Sequence, residues 1–444
     1  MADTKAYLYL NPTRLLSSAQ SMWNPDVGMG TVTHQNMGYL FPMGPFYWLV
    51  DQLGIPMWLG QRFWMGALVF AAGAGIYVLC KELGISMPGR IAASLLYALT
   101  PYIIDYIARM TAILMPWAGL GWMMVFTIWA ARRGGWRYPA LFGLVIALVG
   151  GVNATSILFV GLAPVAWLLY ASFVTRELRI SDAAKAALKI GLLSLLASIW
   201  WIAGLWAEGA YGINILKYTE TFTTVTMTSL ASEIFRGLGY WYFYGQDKLQ
   251  PWTSPAGKYM LSRPVSTISF LVPLCAIALG LLARWKHRLF AVILIVLGTV
   301  LAVGAYPLAD PTPLGRLIKQ AGEGSTVGLA MRSSNRILPI IILGMALLLA
   351  SGVSAIAARS RRLGWVTGLS VSLLIMANLS SLFNGSILPT NLARQGNLPS
   401  YVHQAARYLN GTGGDTRVLA IPGSDFAYYR YGTSMDSVWP GLLK

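Results

Sequence analysis

The sequence predicts an all-α polytopic membrane protein, and three observations support this fold class. Of its 444 residues, 56% are hydrophobic and only 11% are charged, against roughly 25% charged residues in an ordinary soluble domain. Apolar stretches of about 18 or more residues recur along the chain, and each is long enough to cross a hydrocarbon layer of roughly 30 Å as a helix. Lysine and arginine collect in every second short connection, as the positive-inside rule requires.

Uninterrupted apolar length predicts ten spans in this chain. The second span contains Asp105 near its end, and the fourth is short and ends in Gly150 and Gly151, so we expect one or both to be broken or re-entrant. The predicted spans are residues 59–80, 90–107, 112–131, 138–152, 154–175, 187–207, 265–283, 289–307, 337–358 and 363–383.

Five basic clusters occupy alternate connections, which predicts that these connections are cytoplasmic. The clusters are Lys81 with Arg90; Arg132, Arg133 and Arg137; Arg176, Arg179 and Lys185; Arg284, Lys286 and Arg288; and Arg359, Arg361 and Arg362. The opposite connections are long and aromatic: residues 1–58, 208–264, 308–336 and the tail from 384. We expect them on the non-cytoplasmic side of the membrane, partly as short helices on the membrane surface, of which Pro12 to Trp23 is one example.

The predicted domain organisation is a transmembrane domain over 1–384 and the incomplete start of a soluble domain on the outer side, α/β or β, over 385–444. An amphipathic helix is expected at Tyr401 to Leu409 and a strand at Arg417 to Ile421. Residues 385–444 are too few to close a core of their own. Because the first 58 residues are predicted outside with no signal peptide or earlier span, we expect that a preceding first span is missing.

Several function classes are disfavoured by composition. The net charge of +17 lies in clusters between apolar runs, which indicates membrane topology and not nucleic-acid binding. Cys80 and Cys275 fall within apolar runs, so no disulfide framework is indicated. The three histidines, His34, His287 and His403, are scattered, which argues against a histidine metal site, although a divalent cation held by other groups stays open.

Ionisable residues gather at the predicted outer boundary. Such groups face a cavity or a partner, or they are solvated and reach the lipid headgroups. The spacing of Asp105 and Arg109 first indicates a structural ion pair on one helix. The set comprises Asp3, Lys5, Asp26, His34, Asp105, Arg109, Lys217, Glu220, Glu233, Arg236, Arg263, Arg332 and Arg336.

Two patterns have a chemical interpretation beside a structural one. The aromatic run from Tyr240 to Tyr244, followed by Trp252, fits anchoring at the membrane interface or stacking on a sugar. The segment from Met331 to Arg336 enters a span directly, as an anion site at a helix start would. Together with Arg263 it fits binding of a lipid phosphate, and simple membrane anchoring is the alternative.

Five segments resemble the arabinofuranosyltransferase D family of actinobacteria, over essentially the whole chain. They are Ala2-Asp3-Thr4-Lys5, Gly38 to Phe46 (GYLFPMGPF, the most specific), Arg109 with Pro116 to Gly119, Tyr218-Thr219-Glu220, and Pro422 to Phe426. The resemblance implies a GT-C-type helix bundle with periplasmic loops that takes arabinofuranose from decaprenyl-phosphate-arabinose and adds it to cell-wall arabinan. Large carbohydrate-binding modules, usual in that family, are absent from this sequence.

The resemblance also implies roles for individual residues. Asp3 matches the catalytic carboxylate in the first outer loop, which acts as general base on an arabinan hydroxyl. Substrate or donor phosphate would be bound among Lys5, His34, Arg109, Arg263, Arg332 and Arg336, and the acceptor sugar would stack on Trp241, Tyr242 and Trp252. The rival predictions are a transporter or lipid flippase, an interaction scaffold, and a GT-C glycosyltransferase that uses another prenyl-phosphate sugar.

Overall fold

The computed structural model describes residues 6–25, 29–32, 37–107, 110–212, 214, 216, 219–246, 251–387, 398–412, 417–419 and 439–443. Helices dominate this part of the chain, as predicted. The N-terminal region contains α1 (Ala6–Leu10), α2 (Pro12–Ser18), a small antiparallel pair of strands β1 (Trp23–Asn24) and β2 (Thr31–Val32), and α3 (Met43–Gln52).

The first half of the bundle follows. Its helices are α4 (Met57–Glu82), α5 (Met87–Ala98), α6 (Tyr102–Tyr106), α7 (Thr111–Arg133), α8 (Arg137–Val149), α9 (Ala154–Leu169, continued by a π-helical turn, Tyr170–Val174) and α10 (Ile180–Tyr211). Next come α11 (Phe222–Thr226), α12 (Ala231–Phe235), a 3₁₀ turn at Trp241–Tyr244 and α13 (Ser254–Leu261).

The second half completes the bundle. Its elements are α14 (Arg263–Leu282), α15 (Arg288–Val303), α16 (Pro313–Gly324), α17 (Thr326–Ala330), a 3₁₀ turn at Ser334–Ile337, α18 (Leu338–Arg359), α19 (Arg361–Asn378) and α20 (Ser380–Phe383). Two tail helices follow, α21 (Ser400–Gly411) and α22 (Trp439–Leu442).

Every predicted span falls on helix, but six of the described helices are both long and apolar enough to cross a membrane: Met57–Glu82, Thr111–Arg133, Ala154–Val174, Ile180–Tyr211, Arg263–Leu282 and Ser334–Arg359. The helices α8 and α15 are apolar but shorter, with 13 and 16 residues. The second predicted span is broken into α5 and α6, as expected. The break falls at Thr100 and Pro101, where proline interrupts the helical hydrogen bonding.

The helices α7 and α18 form the centre of the bundle. Of the 23 residues of α7, 18 are buried, and α18 is buried continuously from Leu338 to Val353. Four helices, α4, α5, α14 and α15, pack around this pair, together with α8 and α9. By contrast α10 exposes a long row of leucine and isoleucine side chains, such as Leu188 and Ile199. An apolar surface of this kind fits contact with lipid acyl chains.

The predicted alternation of connections is confirmed by contacts, which divide the bundle into two ends. At what we call the basic end, Arg132 forms ion pairs with Glu82 and Glu177, and Lys286 joins Glu177. At the opposite, loop end lie the long connections, including residues 37–56, 219–261 and 304–337. The physical reason is that successive spans run in opposite directions, so that every second connection returns to the same end.

Two local predictions need correction. The surface helix predicted from Pro12 to Trp23 ends at Ser18, and its apolar Leu15 and Ala19 are buried in the protein core instead of facing the membrane. The helix packs against α3, so the apolar side of α2 is explained by packing against the protein. In the tail, helix α21 confirms the prediction at 401–409, whereas 417–419 adopt no regular structure and the rest of the predicted strand lies outside the described residues.

Candidate active site at the loop end

The segment that enters α18 places Arg332 in a buried ion pair. Its Nη2 donates to Thr219 Oγ1 at 2.8 Å and lies 3.2 Å from Glu220 Oε1, and its Nη1 donates to Leu329 O at 2.9 Å. Only 8% of Arg332 is exposed. The guanidinium therefore connects α17 to the segment before α11, and its buried Nε has no hydrogen-bond partner among the described residues.

Arg336 lies beside the N-terminus of α9. Its Nη1 donates to Asn153 Oδ1 at 3.3 Å, and the same oxygen caps the helix by accepting from Ser156 N at 2.9 Å. The Nε of Arg336 is buried, and no acceptor for it exists among the described residues. A helix N-terminus carries a partial positive charge, so the cation and the helix end together make a strongly electropositive place suited to a phosphate.

Asn335 connects this segment to the aromatic loop, residues 240–252. Its Nδ2 donates to the Tyr106 hydroxyl at 2.6 Å, and Asn335 is fully buried. The Tyr106 ring lies 4.6 Å from the Tyr240 ring, between centroids, and Tyr240 lies 5.8 Å from Trp241. A continuous set of contacts therefore runs from the arginine segment to the aromatic side chains.

The aromatic loop brings its three predicted sugar-stacking residues together. The Tyr242 and Trp252 rings are 5.0 Å apart, and Trp241 lies 6.1 Å from Trp252. Tyr242 is buried, which fits a supporting role, whereas Trp241 and Trp252 are partly exposed. Trp252 packs directly over Gly245, where a Cβ would lie 1.9 Å from the indole, so that position requires glycine.

A buried polar network fixes the aromatic loop to α14. Arg236 donates from Nε to Ser269 Oγ, from Nη1 to Glu233 Oε1 and from Nη2 to Tyr259 O, at 2.7–2.8 Å. The Tyr244 hydroxyl donates to Glu233 Oε2 at 2.5 Å. Burial, followed by the adjacent Glu233 carboxylate, raises the pKa of Tyr244 well above its ordinary value, so the phenol stays a proton donor.

This network was not selected from the sequence as a unit, although Glu233 and Arg236 both belong to the outer ionisable set. Their spacing of three residues on one helix is the signal that would have identified the ion pair. The contacts with Ser269 and Tyr259 involve residues 33 and 23 positions away. No local pattern encodes contacts at such separations.

Asp105 lies on α6, outside the six long spans, and is only 2% exposed. Neither carboxylate oxygen has a hydrogen-bond partner within the described part of the chain. The predicted partner, Arg109, lies outside the described residues. Burial, and then the charge of Glu233, raise the pKa of Asp105 well above its ordinary value, because the ionised form loses its hydration on burial.

The other predicted site residues fall in two groups. Arg263 is exposed at the first turn of α14, and among the described residues no hydrogen bond or ion pair joins it to the arginine segment. Asp3, Lys5 and His34 lie, like Arg109, outside the described residues. The helix that follows Asp3, α1, packs at the loop end, where Tyr9 contacts Tyr47 at 5.0 Å.

The first outer region also reaches the arginine segment. A Cβ on Gly38 would lie 2.8 Å from Gly151 O, so residues 37–39 pack closely against the turn that precedes Asn153. Among the described residues, His, Cys, Asp and Glu form no group of three or more suited to a metal ion.

Solved structures with a similar fold show which class of membrane protein this chain resembles. The cryo-EM structure of the arabinofuranosyltransferase AftD from mycobacteria matches the whole chain and 29% of its own length, with a TM-score of 0.72 and 24% identity. A mutant form of that enzyme (class 2) matches with a TM-score of 0.73 and 22% identity over 30% of its length. The chain thus shares the multi-span membrane fold of these two structures.

The family follows from the sequence match. The model for the alpha-(1->3)-arabinofuranosyltransferase, N-terminal GT-C domain, matches residues 1–444, and the chain belongs to this family. Alpha-(1->3)-arabinofuranosyltransferases of Mycolicibacterium smegmatis and Mycobacterium tuberculosis are 29% and 27% identical over 98% of this chain. The chain spans about a third of their length, 31% and 32%. The predicted family is therefore confirmed.

Proposed function

We propose that this chain is the membrane domain of an alpha-(1->3)-arabinofuranosyltransferase. It transfers arabinofuranose from decaprenyl-phosphate-arabinose to cell-wall arabinan, in arabinogalactan or lipoarabinomannan, on the periplasmic side of the plasma membrane. Family membership supports the reaction class. The observation that supports this function best is Arg336 at the N-terminus of α9, with a buried donor that has no acceptor among the described residues.

Arg336 is proposed to bind the phosphate of the lipid donor. A guanidinium offers forked donors that match phosphate oxygens, and the α9 N-terminus adds to the same field. Arg332, which is already neutralised by Glu220, is a positioning residue that fixes the segment carrying Arg336. Its free Nε supplies at most one further donor.

The acceptor sugar is proposed to lie on the partly exposed rings of Trp241 and Trp252. A furanose presents C–H groups that pack on an aromatic face. The contacts through Tyr106 and Tyr240 keep this platform next to the arginine segment. Donor and acceptor would thus meet at one end of the bundle.

The transfer itself requires one proton acceptor and one leaving group. An arabinan hydroxyl oxygen attacks the anomeric carbon, its proton passes to the Asp3 carboxylate, and the bond from that carbon to the donor phosphate oxygen breaks. Decaprenyl phosphate leaves with the electron pair of that bond, and Arg336 stabilises the negative charge that develops. The anomeric centre is inverted, because a single displacement occurs.

A transporter is the main alternative, and the charge distribution argues against it. Transporters usually place charged residues or broken helices near the middle of the membrane. Here the buried length of α18 from Leu338 to Val353 is uncharged. The polar contacts described above lie at the loop end, before that buried stretch begins.

Transfer of labelled arabinofuranose in membranes containing the protein tests the proposal. We expect Asp3→Asn and Arg336→Gln each to lower the rate by about 10²–10³-fold, with the protein still inserted and folded. Arg316→Gln is the matched control, since Arg316 is exposed on α16 at the same end, and it should retain full activity. Unchanged turnover in Arg336→Gln would refute the phosphate assignment, and transfer of another prenyl-phosphate sugar in preference would refute the substrate.

A further inference from the structure

A cavity of about 480 Å³ opens at the basic end, opposite the proposed active site. It lies where α5 begins, α18 ends and α19 begins, and its lining includes Ser86, Arg90, Ser354, Ala357, Arg361 and Trp365. The lining contains two arginines and no acidic residue. Its charge is therefore uncompensated within the described structure.

Arg90 is held in place but keeps free donors. Its Nε donates to Ile85 O at 2.7 Å, and its guanidinium lies 5.8 Å from the centre of the Tyr77 ring. Arg361 is exposed and forms no hydrogen bond or ion pair with the described residues. Both cations are thus available to an anion that enters the cavity.

Ser86 adds a polar group of a different kind. Its backbone N donates to Ser354 Oγ at 3.0 Å, which fixes the start of α5, while its own Oγ is buried without a partner in the described part of the chain. A buried hydroxyl without a partner is unfavourable, so a ligand oxygen that accepts from it would be favourable. The α5 N-terminus lies at the same place and adds its partial positive charge.

Exposed apolar side chains occur on the helices around the cavity, and one of them, Met87, lines it. Met87, Leu363 and Val366 are 53%, 58% and 59% exposed, and they lie on the helices that border the cavity. A soluble anion gains nothing from such surface, whereas the acyl chains of a lipid cover it. Basic pockets between spans are also typical sites for anionic headgroups.

We propose that this cavity binds the phosphate of an anionic membrane lipid, with Arg90 and Arg361 on the phosphate oxygens and the Ser86 hydroxyl donating to the same group. The bound lipid fills the gap between α5, α18 and α19. It has no part in the sugar transfer at the opposite end, and it does not depend on the proposed function.

Native mass spectrometry with added phosphatidylglycerol or phosphatidylcholine tests the site. We expect the purified protein to retain one phosphatidylglycerol in preference to phosphatidylcholine. Arg361→Gln should weaken that binding about fivefold, as expected for one cation at a lipid surface. Arg362→Gln is the matched control, because Arg362 is exposed one residue further along and does not line the cavity; it should change binding less than about twofold.

Two further arms distinguish the ligand and keep the test independent of folding. Ser86→Ala removes a hydroxyl that bonds nothing in the described structure, so it should leave thermal stability in lipid-free detergent unchanged or raised and should still weaken phosphatidylglycerol binding. Millimolar inorganic phosphate should not displace the lipid. Equal losses in the Arg361 and Arg362 variants, the absence of a preference for phosphatidylglycerol, or displacement by inorganic phosphate would each overturn the proposal.

Discussion

Arg332 and Asp105 are both buried at the loop end, but among the described residues only Arg332 has a charged partner. A buried ion that lacks a counter-ion shifts toward its neutral form. Asp105 is therefore expected to be a protonated carboxyl group, whereas Glu233 nearby forms an ion pair with Arg236 and accepts a hydrogen bond from the Tyr244 hydroxyl.

Replacing Asp105 with asparagine tests this assignment. The amide has nearly the same shape as a neutral carboxyl group, so we expect Asp105→Asn to leave the melting temperature in detergent unchanged or slightly raised. Glu233→Gln is the comparison. It leaves Arg236 buried without a counter-charge and should cost about 3 kcal/mol. A comparable loss in Asp105→Asn would contradict the neutral carboxyl group and restore the predicted ion pair with Arg109.

The helices are brought close together by glycines on their contact faces. A Cβ on Gly344 of α18 would lie 2.6 Å from the carbonyl oxygen of Ala291 on α15, and one on Gly280 of α14 would lie 2.4 Å from Leu348 Cβ. Membrane helices associate largely by such close van der Waals packing, because lipid is as apolar as their side chains. The central position of α18 depends on these small residues.

A single methyl group is sufficient to test the packing of α18. We expect Gly344→Ala to destabilise the protein by about 1–3 kcal/mol, because neither helix backbone can give way easily. Gly161→Ala is the matched control: nothing lies within 4 Å of its Cβ position on α9, and alanine should stabilise the helix by up to about 1 kcal/mol. Thermal unfolding in detergent measures both. If Gly344→Ala and Gly161→Ala changed the unfolding temperature equally, helix propensity and not interhelical contact would dominate.

At the scale of the whole molecule, an ionic and aromatic cluster joins several helices and connections at the basic end. Glu177 lies 3.0 Å from Lys286 Nζ and 4.0 Å from His287 Nδ1, and His287 is packed against Trp167 and Trp285. Burial, opposed by Glu177 and assisted by Lys286 and Arg132, lowers the pKa of His287 to about 4. Burial acts to raise the pKa of Glu177, but hydrogen bonds from Lys286 and Thr175 with the nearby positive charges lower it overall.

These shifts predict loss of stability in acid. A histidine with a pKa of about 4 in the folded protein and about 6.5 in the unfolded chain takes up its proton on unfolding between those pH values. The free energy of unfolding should therefore fall by on the order of 3 kcal/mol as the pH drops from 6.5 to 4. The Glu177 contribution, present above the ordinary carboxyl pKa, is lost as the pH falls further.

Melting temperature against pH checks this expectation. His287→Phe keeps aromatic packing on Trp167 and removes the proton-binding group, so its curve should be flatter between pH 6.5 and 4.5. His403→Gln, on the exposed face of α21, should follow the unmodified protein. A curve for His287→Phe that is as steep as that of the unmodified protein would assign the acid sensitivity to other groups.

The local character of the chain was predictable because hydropathy and charge act residue by residue. Long apolar runs such as 112–131 must become helices in lipid, and the Arg132–Arg133 and Arg361–Arg362 pairs mark one end of the bundle. The break in the second span was also predicted, because the charged Asp105 lies near the end of that apolar run. The amphipathic pattern at Leu15 and Ala19 was misread, because a stripe of apolar residues is the same whether a helix packs on lipid or on protein.

What only the tertiary structure decided is which polar groups meet. Asn335 bonds Tyr106 across 229 positions. Arg332 and Arg336 lie four residues apart but differ in their contacts: Arg332 is paired with Glu220, whereas Arg336 lies at the α9 N-terminus with a buried Nε that has no acceptor among the described residues. The cavity with Arg90 and Arg361 likewise exists only because α5, α18 and α19 converge. Hydropathy selects spans and ends through local transfer energies, whereas sites arise from packing between distant segments.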